Sequence, residues 1–175
     1  MGAGDGGYVL HRARTEPGTF AIAIDANPDA LTSGAWRAKR KRLANAAFLV
    51  EGVERLPLEL TRLADEVVVH FPWGSLMRGV LDGSSSVLGP IAGLMKAGAE
   101  LRVLMSAVGR DGLEDVTPSL IVSRCGTYAE HGLHLVEAEW ASTAIVAESR
   151  SAWAKRLAVG RARHAVTGRY RRDAT

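Results

Sequence analysis

His70-Phe71-Pro72-Trp73-Gly74-Ser75-Leu76 follows the run Ala64-Asp65-Glu66-Val67-Val68-Val69, and the reading of this junction decides the fold. Three consecutive valines ending at a Pro- and Gly-containing turn predict a buried strand over 66–70. The chain therefore leaves a core strand and presents an aromatic ring and a proline at the strand's carboxyl end. In open α/β sheets that edge is where ligands bind. An indole there is either core filler or a stacking platform, and taken alone Trp73 reads more readily as core.

Working outward, strands and helices alternate. Upstream, Phe20 to Ile24 and Ala46 to Val50 predict strands, and Tyr8 to Thr15 and Ala30 to Leu43 predict helices. Leu58 to Leu63 reads as a short helix or turn. Downstream, Leu76 to Leu81 and Ser86 to Lys96 read as helices, the second ended by Ala97-Gly98-Ala99. Glu100 to Ala107 predicts a strand, and Asp115-Val116-Thr117-Pro118 caps a helix running to about Tyr128. Leu133 to Trp140 predicts a strand with His134, Val136 and Ala138 on one face. Ala144 to Glu148 reads as a linker or short strand, Ser151 to Leu157 as a helix, and His164 to Arg171 as a last strand. This alternation predicts one α/β domain over residues 1–175, its mostly parallel sheet covered by helices on both faces.

Two features at the carboxyl edge point to a nucleotide. Gly2-Ala3-Gly4-Asp5-Gly6-Gly7 is a Gly-rich turn opening a helix, where backbone can approach a ligand. Asp25 ends the next strand, about 20 residues on, where α/β nucleotide folds hold ribose hydroxyls. Asn27-Pro28 suits a helix start, so a capping role for this acidic corner stays open.

Composition narrows the class. A hydrophobic fraction of 47% and a charged fraction of 23% describe a globular chain, with no uncharged apolar run long enough to span a bilayer and no signal peptide. The single cysteine, Cys125, excludes an internal disulfide, argues against a zinc cluster and fits a cytoplasmic protein; it reads as a small core residue. The histidines lack metal-like spacing, so no metal is expected. Asp111, Glu114 and Asp115 read as helix-start acids. Trp36 and Trp140 read as core packing or a surface plug. Net charge is only +3, but Arg37, Lys39, Arg40, Lys41 and Arg42 fall within six positions, and the tail carries Lys155, Arg156, Arg161 and Arg163. Such runs are solvated helix faces in many proteins; two of them favour a polyanion partner.

Taken together, Gly2-Ala3-Gly4-Asp5-Gly6, Ile24-Asp25-Ala26-Asn27, Val53-Glu54-Arg55-Leu56-Pro57, Phe71-Pro72-Trp73-Gly74-Ser75-Leu76 and Ser151-Ala152-Trp153-Ala154-Lys155-Arg156-Leu157 resemble the 16S rRNA (adenine(1408)-N1)-methyltransferases of the kanamycin–apramycin resistance type. The resemblance implies a Rossmann-like class I fold using S-adenosylmethionine (SAM) to methylate an adenine in the decoding site of the 30S subunit, and so aminoglycoside resistance. It implies that Gly2, Gly4 and Gly6 approach the methionine part of SAM, that Asp25 takes the ribose, that Val53 and Glu54 hold the adenine, and that Val68 to Trp73, with Phe71 and Pro72, line the methyl-donor pocket. Trp73 and Trp153 would sandwich the flipped target base with Ser151 beside them, as the catalytic set. Arg37, Lys39, Arg40, Lys41, Arg42, Lys155, Arg156, Arg161 and Arg163 would grip rRNA. Family members act as monomers.

The sequence departs from the family at its start: Met1 stands where the family's first strand should end. That strand would lie between those at 20–24 and 66–70, so impaired stability and weakened SAM binding are expected, with a misassigned start codon or a partial chain as the explanation. Two rival readings remain: a SAM-dependent methyltransferase acting on tRNA or another rRNA base, and an RNA-binding module without catalysis. A nicotinamide oxidoreductase has no use for the paired tryptophans.

Overall fold

In the computed structural model, which describes residues 1–107, 112, 115–156, 159 and 163–174, strand periodicity sets up two sheets. Strands β1 (Ala21–Asp25) and β2 (Ala46–Val50) pair in parallel, Ala21 opposite Ala46. Strands β3 (Ala64–His70), β4 (Met95–Met105), β5 (Leu133–Trp140) and β6 (Val166–Arg172) form a four-stranded sheet in the order β3-β4-β6-β5. Only β3 and β4 run parallel there; β6 is antiparallel to both neighbours, so that sheet is mixed rather than mostly parallel. The two sheets are not hydrogen-bonded to each other, and the start of the chain links them. The Met1 ammonium donates to the Val68 carbonyl (2.8 Å), and the Ala3 N–H donates to the Ile24 carbonyl (3.1 Å).

The helices are α1 (Gly7–Thr15), α2 (Pro28–Arg40), α3 (Gly74–Asp82), α4 (Ser85–Leu94), α5 (Pro118–Ser123), α6 (Cys125–Ala129), α7 (Thr143–Glu148) and α8 (Ala152–Arg156). The alternation of strand side chains assigns them to faces. Val67, Val69, Leu101, Val103 and Met105 join Met77, Val80, Leu88 and Ile91 of α3 and α4 in the main core. Leu104, on the other face of β4, packs with Phe71, Ala154 and Ala165 beneath Ile145, Val146 and Trp153 of α7 and α8. Helices therefore cover both faces, as expected. Val9 and Leu31 of α1 and α2 close a smaller core on Ala23 of β1.

Several elements differ from the sequence reading, each for a local reason. Helix α4 stops at Leu94 and Met95 is already extended, with Gly98 at φ 72 where the β3–β4 register shifts. The long helix expected to reach Tyr128 breaks at Arg124 into α5 and α6. Cys125 opens α6 and is exposed, not a core residue. In β5 a register shift between Leu135 and Glu137 turns the strand over, so Ala138 packs on the core with Leu133 and Leu135 and not with His134 and Val136. Residues 143–148 are helical because the Ser142 hydroxyl caps them, accepting from the Ile145 N–H (3.3 Å). Trp36 and Trp140 are 64% and 52% exposed, so neither is core. Asp111 and Glu114 lie outside the described residues.

Candidate active site at the carboxyl edge

The Gly-rich loop is shaped by backbone that only glycine tolerates cheaply. Gly2, Gly4 and Gly6 have φ of 61, 53 and 69, a left-handed step at every second residue. The Gly4 N–H donates to Asp25 Oδ2 (2.7 Å), while Asp25 Oδ1 accepts from the Asn27 N–H (2.9 Å). Asp25 thus fastens the loop to the end of β1. An ionised carboxylate has about four lone-pair sites, so this one keeps acceptor capacity towards a ligand. The cap of α2 is Asn27, whose side chain accepts from Asp29 and Ala30, which frees Asp25 from that task. Beside it, the Glu51 N–H donates to the Asp25 carbonyl (3.1 Å), bringing Val53 and Glu54 to the same edge. The Val53 side chain is buried in the main core, so only its backbone faces that edge; Glu54 is exposed.

Asp5 is a site residue that the motif reading passed over. Its carboxylate accepts from the Gly7 N–H (3.1 Å) at the start of α1 and from Arg37 Nη2 (2.9 Å). The loop sits in a notch: a Cβ on Gly34 would stand 2.5 Å from the Asp5 carbonyl oxygen, and one on Gly6 would stand 2.6 Å from the Phe48 ring. A glycine in the middle of an otherwise ordinary helix was the available signal.

At the end of β3 the chain turns sharply. Phe71 is buried and left-handed (φ 47), its N–H donating to the Leu104 carbonyl (2.7 Å), and Gly74 follows at φ 59. A non-glycine residue held at positive φ costs on the order of 1–3 kcal/mol, and such strain gathers at functional sites. Its consequence here is that buried Phe71 and Pro72 anchor the turn while the Trp73 indole projects outward, 68% exposed. Trp153, from α8, meets it edge-on, with ring centroids 5.1 Å apart and planes at 62°. The two tryptophans named from sequence therefore do converge. Ser151 caps α8, its Oγ accepting from the Ala154 N–H (3.1 Å), with its own proton still available to donate.

His70 precedes the turn, its ring 4.7 Å from that of Tyr8. Burial, then the Met1 ammonium and Arg102, push its pKa down to about 3, so the imidazole is neutral at working pH. The unfolded chain takes up this proton near pH 6.5 and the folded chain only near 3, so stability rises with pH across that window. Melting temperatures measured from pH 4 to 7 should climb, and more steeply than in His70→Gln; equal slopes would contradict this assignment.

The expected RNA-binding cations divide. Lys39, Arg40, Lys41 and Arg42 are exposed, with Lys39 Nζ 5.3 Å from the centre of the Trp36 ring. Lys155 and Arg156 are exposed on α8. Arg163 is only 8% exposed and so is not the open surface cation the sequence suggested, and Arg37, though partly exposed, is already paired with Asp5. Arg161 lies outside the described residues.

Residues 1–171 match the family described as NpmA: 16S rRNA (adenine(1408)-N(1))-methyltransferase. A 16S rRNA (adenine(1408)-N(1))-methyltransferase of Streptoalloteichus tenebrarius is 31% identical over 169 residues, covering 90% of this chain and 78% of the relative. A tryptophan-to-alanine mutant of the enzyme of that name from Catenulisporales acidiphilia, solved with cosubstrate SAM, aligns with TM-score 0.88 at 26% identity over 98% of this chain and 83% of that one. The aminoglycoside resistance methyltransferase NpmB1 aligns with TM-score 0.74 at 33% identity over 98% of this chain and 84% of the other. The chain belongs to the 16S rRNA (adenine(1408)-N(1))-methyltransferase family.

Proposed function

We propose that this protein transfers a methyl group from SAM to N1 of adenine 1408 in 16S rRNA, within the 30S subunit, and so confers aminoglycoside resistance. The observation that carries the reading is the convergence of Trp73 and Trp153 above the strained turn at Phe71, on the same edge as the Gly-rich loop and Asp25. SAM supplies an electrophilic methyl on a sulfonium centre. The left-handed glycines would let backbone approach its methionine part, and the spare lone pairs of Asp25 would suit ribose hydroxyls. The Val53 backbone and Glu54 would hold the adenine of SAM.

A paired, stacked adenine hides N1, so the base must leave its helix before it can react. Two indole faces offset the lost stacking, at about 1–3 kcal/mol per base. N1 already carries a lone pair, so no general base is needed, and the rate comes from aligning it with the methyl group. The methylated base is cationic. The Phe71 and Pro72 carbonyls favour that charge, and a neutral His70 avoids opposing it. Ser151 retains a proton to donate beside the base. Lys39, Arg40, Lys41 and Arg42, with Lys155 and Arg156, meet rRNA phosphates. The protein works as a cytoplasmic monomer, and among the described residues no helix is long and apolar enough to cross a membrane.

Tritiated SAM incubated with 30S subunits, 50S subunits and tRNA tests the substrate class. Label is expected in 30S rRNA alone. Label in tRNA or 50S rRNA would favour the first rival, and 30S binding without any label would favour a non-catalytic RNA-binding module.

A further inference from the structure

We propose that Arg37 is a positioning residue for the cofactor loop and not one of the cations that grip rRNA. Its guanidinium finds acceptors on two neighbouring segments of the protein, the Gly-rich loop and its own helix. Nη2 donates to the Asp5 carboxylate (2.9 Å) and also to the Asp5 carbonyl, and Nε donates back to the Ser33 carbonyl (3.3 Å). Its neighbours in sequence, Trp36, Lys39 and Arg40, are exposed, whereas Arg37 is half-buried and lies against the loop, its side chain 37% exposed.

The packing beneath it explains why an arginine can serve here. Gly34, one helical turn earlier on the same face of α2, leaves no space for a Cβ against the Asp5 carbonyl. The helix therefore lies against the loop backbone, and Arg37 closes the contact from the side. Asp5 in turn holds the first N–H of α1 through its other carboxylate oxygen. One guanidinium thus fixes the residue between two left-handed glycines, Gly4 and Gly6, whose conformation a free loop would not keep. Nη2 holds Asp5 while Nε reaches back to the Ser33 carbonyl, so two nitrogens of one rigid plane are engaged at once, an arrangement that lysine's single ammonium cannot reproduce, although lysine binds phosphate well. The same substitution therefore separates the two roles.

The inference rests on the loop being the SAM site, and the test reads the loop without SAM as well. Arg37→Lys and Arg37→Gln are compared with the unchanged chain by amide hydrogen exchange over residues 2–7, by SAM titration calorimetry, and by 30S binding across a salt series. Both variants should exchange faster in the loop and bind SAM roughly 3- to 10-fold more weakly, a modest loss because the pair is partly exposed. Affinity for 30S and its salt slope should not change in either. Unchanged loop exchange in both variants overturns the proposal. So does a rescue by lysine combined with a salt slope lowered by about 1 in the glutamine variant, which marks a phosphate contact. If the unchanged chain binds no SAM, the functional reading fails, while the exchange comparison still decides the role of Arg37.

Discussion

Replacing Trp73 with alanine should lower the kcat/KM for 30S methylation by roughly 5- to 150-fold, the kinetic equivalent of one lost stacking face. Trp153→Ala should do the same, and phenylalanine at either position should restore part of the loss. The fold should barely respond to the Trp73 change. Its indole is 68% exposed, and a surface substitution away from special features shifts stability by about 0.5 kcal/mol or less. Affinity for SAM should fall far less, because the exposed indole is the outer end of the pocket-lining stretch and buried Phe71 and Pro72 stay in place, which separates base capture from cofactor binding. The resting geometry adds a second expectation. A base held at contact on both faces needs parallel rings about 7 Å apart, twice the carbon–carbon contact distance. The indoles here stand 5.1 Å apart at 62°, too close and too crossed to admit one. They must part and rotate as the adenine enters, so tryptophan fluorescence should change on 30S binding in the unchanged chain and much less in Trp73→Ala. Full activity in both alanine variants would remove the stacking role.

The second large effect is expected at Gly34. Alanine is ordinarily the better helix former, and a Gly→Ala change in an exposed helix stabilises by up to about 1 kcal/mol. Here the added Cβ would lie 2.5 Å from the Asp5 carbonyl oxygen and 2.7 Å from the Phe48 ring. The first of these is backbone and cannot rotate away. Overpacking of this kind costs about 1–3 kcal/mol, and each kcal/mol moves the melting temperature of a chain this size by about 2–4 °C. The displaced segment is the Gly-rich loop, so Gly34→Ala should lose SAM affinity together with stability. A variant as stable as the parent, or one that binds SAM normally, would show that the notch does not set the loop.

Legibility in the sequence followed how local the determinants are. Strands β2 and β5 match the expected spans residue for residue, because short runs of strand formers end at clear breaks. Residues 143–148, in contrast, are a short apolar stretch without diagnostic periodicity; the Ser142 cap was the only cue to a helix. The start of β4 was hidden because Met95 and Lys96 could continue a helix, and the register shift around Gly98 is decided by pairing with β3. At the site, the motif residues come together at one edge, but contacts across long separations were not readable. The meeting of Trp73 with Trp153, 80 positions later, came from resemblance to a family and not from periodicity. The position of Arg37 against the loop, in the middle of a basic run, is set by Asp5 and Gly34 and has no signature in charge patterning.

The most direct test of the central claim is primer extension on 16S rRNA from 30S subunits treated with this chain and SAM, followed by nucleoside mass spectrometry of the stop site. A methyl on N1 blocks the Watson–Crick edge, so reverse transcriptase should halt next to adenine 1408, and 1-methyladenosine should be recovered there. A stop at another nucleotide, a different methylated nucleoside, or unmodified RNA from subunits that the chain has bound would contradict the account.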